Sequence, residues 1–75
     1  MDASALRQRL LDTQIEQFKD EAYPSVTMMD RIEAALRTRE QVEEYAEVLL
    51  EKVESTHYPS LSMINRFESV LAKIE

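Results

Sequence analysis

Glu54 and His57 stand in the run Glu54-Ser55-Thr56-His57. This Glu-x-x-His spacing places a carboxylate and an imidazole one turn apart on a single helix face, as at carboxylate-bridged di-iron sites. Such a site needs further ligands, and the sequence supplies few. His57 is the only histidine, cysteine is absent, and the positions 35 residues earlier hold Lys19 and Ala22. A metal would therefore require a second copy of the chain to complete its ligand set. The plainer assignment puts His57 at a helix end, against the last free carbonyls. No cofactor or metal is expected. With no Cys, one His and no Gly, neither a nucleophile with a neighbouring base nor a glycine-built phosphate loop can be assembled. A non-enzymatic protein with no small-molecule substrate is the expectation.

The remaining side chains suited to chemistry are suited to recognition. The stretch Tyr23 to Leu36, YPSVTMMDRIEAAL, returns at Tyr58 to Leu71 as YPSLSMINRFESVL, with seven of its fourteen positions identical. Tyr-Pro-Ser can be a structural device used twice: proline stops one helix, and the serine caps the next. It can also carry function, because Tyr and Arg are frequent interface anchors. On that reading Tyr23 with Arg31, and Tyr58 with Arg66, make two related partner-binding patches. The alternative for the arginines is a solvated face with local pairs to Asp30, Glu33 or Glu68.

A third candidate is a glutamate face. Between Arg39 and Ser55 six glutamates stand against Arg39 and Lys52, a net charge of −4. Pairs such as Glu43 with Glu47 and Glu47 with Glu51 repel at four-residue spacing by a few tenths of a kcal/mol each. The face either keeps the chain soluble or meets a basic partner through Glu43, Glu47 and Glu51.

Helices must position all of these. The first starts at Asp2 or Ser4 and runs to about Ala22, with Leu11, Ile15, Phe18 and Ala22 on one stripe. Leu6 and Leu10 lie to one side of that stripe and are the expected contact of a homodimer. Ser25 caps a second helix with Met28, Met29, Ile32, Ala35 and Leu36 inward. Thr38-Arg39-Glu40-Gln41 fits a capping box and opens a third helix to about Thr56, with Val42, Tyr45, Ala46, Leu49 and Val53 as its stripe. Ser60 caps a fourth, with Met63, Ile64, Phe67, Val70, Leu71 and Ile74 inward.

The fold class expected is all-α: four helices as two tandem αα-hairpins sharing an internal 35-residue repeat, a small helical bundle or repeat-like pair. The 75 residues make a single helical domain over 1–75, with repeat 1 over about 3–37 and repeat 2 over about 38–75. A chain this short buries only about 60% of its unfolded surface, which favours self-association. The segment from Pro24 through Pro59, a cap, a short helix, a Glu- and Leu-rich helix, then a new proline and cap, resembles in outline one unit of the pentatricopeptide and tetratricopeptide class of helical repeats. It departs from that class in lacking glycine, and its net charge of −6 opposes nucleic-acid binding. No RNA binding follows from the likeness.

No apolar run approaches the roughly 20 residues that span a bilayer, and the N-terminal residues lack a signal peptide's apolar stretch, so a cytoplasmic protein with no membrane partner is expected. The function expected is a small protein-protein interaction module, a regulator or adaptor, whose partner is another protein, itself or both. The alternative is a self-assembling structural subunit with no partner but its own copies.

Overall fold

The computed structural model describes residues 2–56 and 60–75. These residues form four α-helices and no strand: α1 (Ala3–Asp20), α2 (Val26–Ala35), α3 (Arg39–Ser55) and α4 (Leu61–Leu71). The all-α class expected from the sequence holds. The helices gather into two compact units, Met1–Leu36 and Arg37–Glu75; α1 packs on α2 in the first and α3 on α4 in the second.

In the first unit Asp2 caps α1, its carboxylate accepting the Ser4 amide at 3.1 Å. The helix stops at Asp20, two residues short of the expected Ala22. Pro24 forces Tyr23 out of the helical region, and the chain turns before it. The Glu21 amide donates back to the Phe18 carbonyl at 3.2 Å, while the Glu21 carboxylate accepts the Tyr23 amide at 3.4 Å. Ala22 is accordingly exposed and does not extend the stripe. Leu11, Ile15 and Phe18 of α1 are buried, as are Met29 and Ile32 of α2. Each such side chain contributes about 1.5–3 kcal/mol through removal from water. Ser25 caps α2 by accepting the Met28 amide at 3.0 Å.

In the second unit Thr38 and Gln41 make the expected capping box around the start of α3. The Gln41 amide donates to the Thr38 hydroxyl at 3.2 Å. The Gln41 side-chain oxygen accepts both the Thr38 amide at 3.0 Å and the Arg37 amide at 2.6 Å. Gln41 is buried, and these bonds offset the cost of taking its amide out of water. Val42, Tyr45, Ala46 and Leu49 are buried as expected. Val48 joins them, so the buried arc of α3 is wider than one stripe, while Val53 is half-buried.

The fourth helix departs furthest from expectation. Ser60 caps it through the Met63 amide at 3.1 Å, but of the six residues expected inward only Val70 is buried; Met63, Ile64, Phe67, Leu71 and Ile74 are half-buried. An apolar set this broad is wider than contact with one neighbouring helix can cover. Beyond the helix proper, the Ile74 amide donates to the Leu71 carbonyl at 3.0 Å, which folds Ile74 back into a final turn. No helix among the described residues is long and apolar enough to cross a membrane.

Candidate groove between the third and fourth helices

Around the circumference of α3, moving outward from the buried arc, the residues met in order are Ala46, Leu50, Glu43 and Glu47, because steps of three and four bring them onto neighbouring rows. Ala46 is buried, Leu50 is 37% exposed and the two glutamates are exposed. These four residues form one wall of an open groove of about 340 Å³, and Phe67, Leu71 and Ile74 form the other. The floor is apolar and one rim is anionic. Glu43 is partly engaged already: its carboxylate accepts Arg39 Nε at 2.9 Å in a four-residue helix pair with both side chains mostly exposed. Pairs so exposed contribute at most a few tenths of a kcal/mol. The rim therefore keeps its preference for a cation, and the floor a preference for an apolar side chain.

Of the candidates taken from the sequence, Glu43 and Glu47 line this groove, while Glu51 is exposed further along α3 and outside its lining. Tyr23 is 91% exposed and Arg31 is exposed on α2. Tyr58 lies outside the described residues. Arg66 is half-buried with its Nε shielded from solvent, unlike Arg31 at the matching position of the first copy. Leu6 and Leu10 are exposed on α1, at 44% and 58%. Glu54 is exposed and His57 lies outside the described residues; among those described no three His, Asp or Glu side chains gather closely enough to hold a metal ion.

Ala46, Leu50, Phe67, Leu71 and Ile74 are the groove residues that sequence reasoning did not assign to a site; Ala46 was expected only as part of the buried stripe of α3. Leu50 carried a signal: it is an apolar residue set among glutamates, off the stripe of Val42, Tyr45 and Leu49. The three from α4 and its final turn carried none, since their spacing is that of core residues.

No protein-family model matches the sequence, and neither a curated protein nor a solved structure matches it.

Proposed function

We propose that this chain is a small non-enzymatic protein-protein interaction module, a regulator or adaptor, which takes an amphipathic helix into the groove between α3 and α4. The supporting observation is the exposed Leu50 beside Glu43 and Glu47, facing the same groove as Phe67 and Leu71. Helix-in-groove recognition uses apolar anchors one turn apart, and a groove with one acidic wall selects a ligand helix that carries positive charge on the side of its anchors facing that wall. A chain with no Cys, no Gly and a single His gives no support to a catalytic alternative. The cytoplasmic location expected from the sequence belongs to the same proposal.

The test is capture from the protein's own cell extract with the immobilised full chain, run beside Leu50→Glu with Leu71→Glu. Neither leucine is fully buried, so the double variant should keep its helical circular dichroism. Proteins retained by the wild type and lost by the variant are the expected result. An identical captured set for both would sink the groove as the recognition surface. A second reading, a self-assembling structural subunit, is favoured by the exposure of Leu6 and Leu10 on α1.

A further inference from the structure

We infer that the helix received by the groove is α1 of a second copy of this chain, which rests on the groove being the recognition surface. The helix required is amphipathic, with exposed apolar anchors and positive charge beside them, and α1 presents one. Ala3, Leu6, Leu10 and Thr13 recur at alternating steps of three and four residues, and all four are exposed. This spacing sets them in one row along a helix. The buried residues Leu11, Ile15 and Phe18 lie well round the helix from that row, so the leucines are not spare edges of the core. Arg7 and Arg9, both exposed, flank the row, one on each side, and Ala3 to Leu11 contains no acidic residue.

Thr13 is prepared for contact as well. Its hydroxyl already donates to the Arg9 carbonyl at 2.9 Å, so covering this side chain strands no donor. Seated in the groove, Leu6 and Leu10, one turn apart, cover Leu50, Phe67 and Leu71, and whichever arginine lies on the α3 side of the row meets Glu43 and Glu47. The exchange is reciprocal. Each copy offers both a helix and a groove, and a two-fold dimer is the pairing in which the same contact is made twice.

Sedimentation equilibrium of the purified full chain tests this, with circular dichroism confirming that each variant is helical. The wild type should sediment at twice the chain mass. Leu6→Glu with Leu10→Glu should raise the dissociation constant about 100-fold or more, given the burial lost from two leucines. A charge exchange identifies the groove as the other half of the contact. Arg7→Glu with Arg9→Glu places acid against acid, and Glu43→Lys with Glu47→Lys places base against base, so each variant alone should be monomeric where the wild type is dimeric. Mixed, the two are complementary at both contacts, and a dimer containing one of each should return. A monomeric wild type, or a mixture that stays monomeric, overturns the inference. A monomeric wild type whose capture of other proteins still needs Leu50 and Leu71 would leave the groove reading intact, whereas dimerisation with groove-independent capture would leave only self-association.

Discussion

The two helix pairs begin from almost the same instructions and treat them differently. Ser25 and Ser60 cap α2 and α4 with nearly the same bond, 3.0 and 3.1 Å to the amide three residues on. After the cap the outcomes diverge. Ile32 is fully buried while Phe67, its sequence counterpart, is half-buried; Ala35 is half-buried while Val70 is fully buried. A cap is decided within four residues, so a repeated sequence repeats it. Burial depends on what lies across the contact, and there the two copies are free to differ. Phe67, larger than Ile32, is left partly uncovered and lines the groove.

Substituting the paired positions is the strongest way to break this comparison. Ile32→Asp should destabilise by more than about 3 kcal/mol, because it removes a buried side chain and leaves a charge without solvent. Phe67→Asp should cost less than half as much, since its carboxylate can reach water. Urea unfolding followed by circular dichroism measures both, and equal losses would mean that Phe67 is as much a core residue as Ile32. Ser25→Ala and Ser60→Ala sharpen the local half of the contrast: each should cost about 1 kcal/mol, and by similar amounts. A cap loss confined to one of them would show that the serine bonds are not the shared element.

The acidic wall gives a smaller effect on folding and a distinct one on association. Replacing Glu43, Glu47 and Glu51 by Gln should leave stability unchanged or raise it by a few tenths of a kcal/mol, as like-charge pairs on α3 are relieved. Association should slow and lose much of its dependence on ionic strength, because surface charges steer over about 10 Å at 0.1 M salt. Stopped-flow rates across a salt series would decide; an unchanged slope removes these glutamates from recognition. The smallest change expected is Arg39→Ala, within about 0.5 kcal/mol, since its pair with Glu43 is exposed.

Helix class and helix starts were legible because they are written locally. Asp2, Ser25, Thr38 and Ser60 each precede a periodic run and each accepts the expected amide. The end of α1 was misplaced by two residues because the carboxylate of Glu21 and the demand of Pro24 act together, and periodicity sees neither. Burial was legible where a stripe was narrow, as with Leu11, Ile15 and Phe18, and illegible where it was broad, as on α4. Glu43 and Glu47 could be nominated from charge alone, but their apolar neighbours could not. Whether Phe67 and Leu71 are core or surface depends on the width of the contact with α3, which no spacing within α4 encodes.

Gln41 joins two amides that precede α3 to a residue inside its first turn. Its side-chain oxygen accepts the amide protons of Arg37 and Thr38, which precede α3 and have no carbonyl of that helix to bond. Those protons can trade with solvent deuterium only when the first turn of α3 frays and the glutamine lets go. The exchange lifetimes of these two amides are therefore a built-in gauge of how often α3 opens at its start, readable at single-residue resolution without touching any other part of the chain.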